Sequence, residues 1–257
     1  MRKRKKRIDS ILMEQGLAAS LPLARAILMA GKVIVEDQCV SDASACFAPD
    51  VQVRVRTPAS AFVGRGGDKL QGAIEDLGLQ SSFVGKIVLD IGASTGGFTQ
   101  CLLEVGAEKV LALDVGHNQL AWSLRQDPRV VSLEQMDIRK FTATDYPTPD
   151  WVVADVSFTS LAQLAAEIFQ VGGAHTQFLL LVKPQFELER SAIPPGGVVT
   201  DPADIERAVA QVKKAFEVLG GKILGSIPSR IKGKTGNQEI FLWVERGHPA
   251  RVSPARA

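Results

Sequence analysis

From Lys86 onward, short uninterrupted apolar runs alternate with stretches whose apolar residues recur at helical spacing. The runs predict strands over 87–91, 109–114, 130–133, 151–155, 177–183, 222–228 and 238–245, with helices opening near Gly97, His117, Thr159 and Asp201. Strands that are apolar on both faces and separated by helices specify a doubly wound parallel sheet of α/β class. The last two strands leave no room for a helix between them. A hairpin-like loop over 229–237 must join them, so the final strand runs antiparallel to the others. Residues 1–56 read differently. Ile8, Ile11 and Leu12 form a short amphipathic helix ending near Gly16. A second helix follows, with Ser20 as N-cap, Pro22 in the first turn and Gly31 closing it. Strands are expected over 32–35 and 51–56, the latter alternating valine with Gln or Arg. The predicted organisation is a small αβ module (1–56), a linker (57–65), a Rossmann-like α/β domain with a seven-stranded sheet (66–247) and a short tail (248–257).

Composition narrows the possibilities. A chain of 257 residues, 46% apolar and 23% charged, suits two domains. No run approaches the ~18 apolar residues of a spanning helix, and no apolar leader follows the basic start, so a soluble, cytoplasmic protein without membrane contact is expected. Cys39, Cys46 and Cys101 show no paired C-x-x-C spacing, which predicts neither a disulfide framework nor a metal site. Charge is unevenly placed: residues 1–65 hold 11 Lys/Arg against 6 Asp/Glu, whereas the remainder holds 19 against 22. Six consecutive basic residues, Arg2 to Arg7, would attract a polyanion or form a solvated tail.

The sharpest chemical signal is Asp90-Ile91-Gly92-Ala93-Ser94-Thr95-Gly96-Gly97-Phe98. An acid ends the first sheet strand, and a glycine-rich turn opens the next helix, where side chains would block a ligand. A pyrophosphate site has little use for the negative charge of Asp90; a ligand with an amine or sulfonium suits it better. Asp114 ends the second strand, where ribose hydroxyls bind, and Asp137 follows the third, placed to accept from an adenine amino group. Together with Gly92, Ser94, Thr95, Gly96, Gly97 and Phe98, these acids point to S-adenosylmethionine rather than NAD. Asp155 ends the fourth strand and can serve the same ligand. A second constellation is dispersed: Asp155, Lys183 before Pro184, and Glu239 opening the antiparallel strand all fall at the edge where open α/β sheets bind ligands. Lys69 in Arg65-Gly66-Gly67-Asp68-Lys69-Leu70 could reach the same crevice.

These motifs, with Gln119-Leu120-Ala121-Trp122, Ala154-Asp155-Val156-Ser157-Phe158, Lys183-Pro184-Gln185-Phe186-Glu187 and Gly196-Gly197-Val198-Val199, resemble those of the TlyA (hemolysin A) family of ribosomal RNA 2′-O-methyltransferases over nearly the whole chain. The N-terminal part is similar to an S4 RNA-binding domain at Arg7-Ile8-Asp9, Ala24-Arg25-Ala26-Ile27 and Gly31 to Val35, although Glu36-Asp37-Gln38 stands where such domains often carry Asn or Asp-Gly. The resemblance implies an S4-like domain joined to an FtsJ-like methyltransferase with a Lys-Asp-Lys-Glu tetrad at Lys69, Asp155, Lys183 and Glu239. It implies S-adenosylmethionine-dependent methylation of a cytidine ribose in 23S, and in some members 16S, ribosomal RNA. The partner would be ribosomal RNA or a ribosomal subunit, contacted through Arg4, Arg7, Arg25, Lys32 and Arg65, by a protein expected to act as a monomer. Lys183 would be either the base for the 2′-hydroxyl or a charge that stabilises the developing alkoxide. The competing readings are an NAD-dependent oxidoreductase, a non-catalytic assembly factor and a pore former. Asp90, the complete tetrad and the lack of a membrane-type segment count against them in turn.

Overall fold

The computed structural model describes residues 5–18, 20–29, 31–55 and 62–247. Arg4, most of the expected linker and the tail 248–257 lie outside the described residues. The chain divides into two compact units between residues 59 and 60.

In the first unit, helices α1 (Ile8–Glu14) and α2 (Leu21–Met29) accompany a two-stranded pair, β1 (Lys6–Arg7) with β4 (Cys46–Phe47), and a three-stranded antiparallel sheet in the order β3-β2-β5. The three strands are β2 (Val33–Val35), β3 (Gln38–Val40) and β5 (Val53–Val55). Ile8, Ile11, Leu12, Ala24, Leu28 and Val33 are fully buried, so the helical apolar stripes meet on the valine face of the sheet. Strand β3 is not among the strands that the sequence predicts. It pairs with β2 through a two-residue loop, Glu36-Asp37, both residues having positive φ (48° and 68°). That is the backbone of a type I′ hairpin, which usually advertises itself as Asn-Gly or Asp-Gly.

In the second unit, a seven-stranded sheet has the order β11-β12-β10-β9-β6-β7-β8. Its members are β6 (Ile87–Ile91), β7 (Lys109–Asp114), β8 (Val130–Glu134), β9 (Trp151–Ala154), β10 (Gln177–Val182), β11 (Gly221–Pro228) and β12 (Ile240–Arg246). Only β12 is antiparallel to its neighbours, inserted between β10 and β11. The chain builds outward from β6 to β8 and then returns to lay β9 on the other side of β6. The topological switch therefore falls between β6 and β9, where a crevice opens at the strands' carboxyl ends. Each face of the sheet carries its own apolar layer: Leu89, Leu111, Val152 and Leu180 point one way, Val88, Val110, Val153 and Leu179 the other.

Three helices depart from the pattern read along the chain. Helix α3 (Arg65–Asp76) runs against local preference, because Gly66, Gly67 and Gly72 lower its intrinsic propensity. Tertiary packing requires the gap at Gly67, where a Cβ would fall 2.1 Å from the ring of buried Phe62. Residues 62–65, within the stretch expected to link the two parts, thus belong to the second unit. The helix expected near His117 is only α5 (Trp122–Arg125), and that expected near Thr159 is α6 (Ala165–Gln170). In both places a glutamate replaces the helical bonds. Glu134 accepts from the amides of Asn118, Gln119 and Leu120 (2.8, 3.0 and 3.1 Å), and Glu187 accepts from Ser160 Oγ and the Leu161 amide (2.6 and 2.8 Å). Helices α4 (Gly97–Glu104) and α8 (Pro202–Val218) begin as expected, the latter capped by the Asp201 carboxylate. Between them in the chain, α7 (Pro184–Glu187) follows Lys183 directly.

Candidate active site

The glycine-rich turn stands at the carboxyl end of β6, against the end of β9. The Asp155 amide donates to Ile91 O at 2.9 Å. Gly92 has φ +85°, and a Cβ there would fall 2.7 Å from the Asp155 carbonyl, so no other residue lets the two strand ends close to this distance. Beyond Gly92, a cavity of about 440 Å³ is lined by Ser94, Asp114, Gln119, Asp137, Asp155 and Phe158 among others. A smaller one of about 200 Å³ is lined by Gly64, Arg65, Gly66, Thr95, Gly97 and Phe98. Gly92, Ser94 and Asp155 line both, so the two form one trough across the turn.

The predicted cofactor residues fall into two groups. Asp114 and Asp137 face the larger cavity. Asp114 accepts from the Ser94 amide (2.8 Å) and the Gly116 amide (2.7 Å), one on each oxygen, which fixes the carboxylate and leaves further acceptor capacity. Asp137 is held by Arg139 through two side-chain hydrogen bonds (2.9 and 2.6 Å) and a backbone one (3.0 Å), which together hold its carboxyl below the usual range. An acceptor position remains on Oδ2. Asp90 is different. It is fully buried behind the turn, lines neither cavity and accepts from Thr99 Oγ1 at 2.7 Å, while its Oδ1 has no partner. Gly96 likewise lines neither cavity, packing instead toward Leu120 and Leu124. The trough suits a cationic nucleoside: carboxylates at one end, a bare glycine turn in the middle and unsatisfied acidic oxygen beneath.

Burial pushes the Asp90 carboxyl up to about 7; the Thr99 hydrogen bond opposes the shift, and the negative charge of Asp155 and Asp114 adds to it. With a folded value above the unfolded one near ~3.8, the native state holds the extra proton between pH ~4 and ~7. Stability therefore falls as pH rises through that window, and the full penalty is present above ~7. Asp90→Asn removes the titration, so its Tm advantage over wild type should be larger at pH 8 than at pH 5. An equal gap at both pH values in thermal melts would mean that Asp90 is not a buried, reluctant anion.

The dispersed constellation converges in two ion pairs. Lys69 Nζ donates to Glu239 Oε2 at 2.5 Å, both side chains buried. Lys183 Nζ lies 2.7 Å from Asp155 Oδ1, an ion pair outside hydrogen-bonding geometry, and donates its directed bond to Ser157 Oγ at 2.7 Å. The fold explains the meeting. In the β10–β12 register Val182 faces Ile240, so Lys183 and Glu239 continue adjacent strands past the same edge. Helix α3 brings Lys69 from the opposite side, and at Gly66, three residues earlier, a Cβ would be 3.6 Å from Asp155 Oδ2.

Several neighbours carry no role in the sequence reading, although their motifs are visible there. Ser157 and Phe158 follow the strand-end Asp155 by two and three residues, and that position is the only signal they offer. Phe158 has φ +63°, uncommon for an aromatic residue, and is 93% exposed. Its ring lies 5.6 Å from that of Phe186, over which Lys183 Nζ sits at 5.9 Å. Glu187 ties the same loop down at Ser160. Of the residues expected to meet RNA, Arg65 is exposed and donates to Lys232 O at 2.9 Å. In the first unit Arg7 and Arg25 both bond buried Asp9 (2.8 and 3.3 Å), and Lys32 lies half-buried at the entrance to β2.

Residues 62–246 match the FtsJ-like methyltransferase family. The chain is 41% identical over 243 residues to the Mycobacterium tuberculosis 16S/23S rRNA (cytidine-2′-O)-methyltransferase TlyA, covering 94% of this chain and 90% of that protein. It is 39% identical over 183 residues to the Campylobacter jejuni 23S rRNA (cytidine-2′-O)-methyltransferase TlyA, covering 71% and 70%. Among solved structures, a Streptococcus thermophilus protein described as a candidate hemolysin is similar with a TM-score of 0.72 at 34% identity, covering 95% of this chain and 89% of that one. A likeness of this extent means that the chain belongs to the TlyA (hemolysin A) group of the FtsJ-like methyltransferase family.

Proposed function

We propose that this protein methylates the 2′-hydroxyl of a cytidine ribose in 23S ribosomal RNA with S-adenosylmethionine as donor, as a monomer in the cytoplasm. The observation that carries the reading is the pair of lysine–carboxylate contacts, Lys69–Glu239 and Lys183–Asp155, at the edge of a trough lined by glycine and acid. Both pairs are complete within one chain. Bound in the trough, S-adenosylmethionine would supply an electrophilic methyl group, its nucleoside held by Asp114 and Asp137 and its amino acid part by the turn from Gly92 to Gly97. A ribose hydroxyl is a poor nucleophile, so the chain must hold it in line and manage its proton. Lys183, fixed by Asp155 and Ser157, is placed to do this, whether it takes the proton or stabilises the oxygen that loses it. Lys69 and Glu239 orient the ribose from the other side. Exposed Phe158, backed by Phe186, offers a face on which a base drawn out of its stack can rest.

The first unit would place the enzyme on structured RNA through backbone contacts. Asp9, whose carboxyl Arg7 holds below the usual range, keeps Arg7 and Arg25 side by side with about half of each side chain exposed. Replacing both arginines by alanine should weaken binding to ribosomal RNA by about tenfold, on the order of 1.4 kcal/mol, and leave S-adenosylmethionine affinity unchanged in calorimetry. Loss of both affinities would assign the pair to folding instead.

The direct test is transfer of labelled methyl groups to ribosomal subunits from cells lacking this gene, followed by mapping of the modified position. Label on a cytidine ribose of 23S RNA is expected, and parallel 16S mapping decides whether one subunit or both is modified. S-adenosylmethionine binding without transfer to either subunit would favour a non-catalytic assembly role and overturn the proposal.

A further inference from the structure

We propose that the loop joining β11 to β12 is a phosphate grip, in which Lys232 and Lys234, with Arg65, hold the RNA backbone phosphates flanking the target ribose. The inference rests on the RNA substrate proposed above. Its first support is position. Gly233 lies so close to Glu239 that a Cβ there would fall 2.4 Å from Oε1, so the loop backbone rests directly on one of the two ion pairs. Lys232 and Lys234 flank that glycine and are exposed. Arg65 joins them by donating to the Lys232 carbonyl at 2.9 Å, while it also lines the smaller cavity with Asp155.

Order is the second support. The loop closes on itself through Gly233 N to Asn237 O and Gly236 N to Gly233 O, both 2.9 Å. Asn237 is fully buried, donating to Gly197 O (2.9 Å) and Thr235 Oγ1 (3.0 Å) and accepting from the Val199 amide (2.8 Å). At the loop's start, Arg230 is clamped on Glu75 and Asp76 of α3, the helix that also carries Lys69. A loop fixed at this many points presents its cations without a large ordering cost on binding.

Charge is the third. Arg230, Lys69 and Lys183 each face a carboxylate, but neither Lys232 nor Lys234 has an acidic partner among the described residues. Two such lysines, and an arginine whose hydrogen bond among the described residues goes to a carbonyl, leave local positive charge beside the Lys69–Glu239 pair. S-adenosylmethionine carries no phosphate, so that charge has no counterpart in the cofactor. A ribose within a strand, by contrast, is always bracketed by phosphates.

The test compares wild type with Lys232→Gln/Lys234→Gln, measuring affinity for a 23S RNA fragment across a salt series, S-adenosylmethionine affinity, and turnover at saturating RNA. Losing two phosphate contacts should weaken RNA binding roughly tenfold at moderate salt and flatten the slope of log affinity against log salt by about 1.5. Cofactor affinity and saturated turnover should stay at wild-type values, and Lys232→Arg/Lys234→Arg should keep the wild-type slope. If wild type methylates the RNA but the glutamine variant keeps its slope, the grip is overturned and the catalytic proposal stands. If wild type binds with the steep slope, the variant flattens it, and neither transfers methyl groups, the catalytic proposal falls and the grip is upheld.

Discussion

Lys183→Ala is expected to lower methyl transfer by about 10²–10⁴-fold, the range associated with loss of a positioned proton-handling group, while S-adenosylmethionine binding changes little. The expectation follows from where the ammonium sits: buried at the end of β10, 2.7 Å from both Asp155 Oδ1 and Ser157 Oγ, with the Phe186 ring beneath it. Lys69 and Glu239 are committed to each other at 2.5 Å, which leaves the Lys183–Asp155 pair as the part of the constellation placed to meet the hydroxyl. Single-turnover rates with calorimetry separate the chemical step from binding. Lys183→Arg then distinguishes the two roles open to the residue. Arginine keeps the charge and does not give up its proton at physiological pH, so substantial recovery would identify electrostatic stabilisation, and failure would identify proton transfer. Turnover retained in the alanine variant would remove Lys183 from the mechanism.

Glu239→Ala is expected to cost both activity and about 3–5 kcal/mol of stability, because it strands the buried Lys69 ammonium without a partner. For a protein of this size that is a fall in Tm of roughly 10 °C. The double variant Lys69→Met/Glu239→Leu should recover most of the stability, since replacing both members of a buried pair by apolar groups of similar size is often neutral, yet remain inactive. Thermal melts and turnover on the same preparations test this. A single variant as stable as wild type would show that water or rearrangement solvates Lys69, and an active double variant would exclude the pair from catalysis.

How much of this was legible along the chain depended on the range of the interaction involved. Strands such as Ile87–Ile91, Lys109–Asp114 and Gln177–Val182 announced themselves through unbroken apolar runs, because a strand covered on both faces must be apolar throughout. The antiparallel final strand followed from a loop too short for a crossover. Strand-end carboxylates were legible for the same reason, since in an open sheet the carboxyl edge is set by strand direction. Helix α3 was not legible: its glycines argue against a helix locally, and only the approach of Phe62 shows why one stands at Gly67. The shortened helices at Trp122 and Ala165 depend on Glu134 and Glu187, side chains distant in the chain that take over backbone donors. The hairpin at Glu36-Asp37 lacked the turn residues by which such loops are recognised.

The amino-acid order alone therefore settled the fold class, the edge of the sheet where chemistry takes place and the residue types present there, because burial and strand direction write themselves into periodicity. Partnership was settled in three dimensions. That Lys69 pairs with Glu239 across 170 positions, that Lys183 contacts both Asp155 and Ser157, and that Asp90 lies behind the turn rather than in the trough could not be read from spacing. Side-chain contacts between distant segments depend on strand register and helix docking to within an ångström or two, and hydrophobic periodicity carries no information at that resolution.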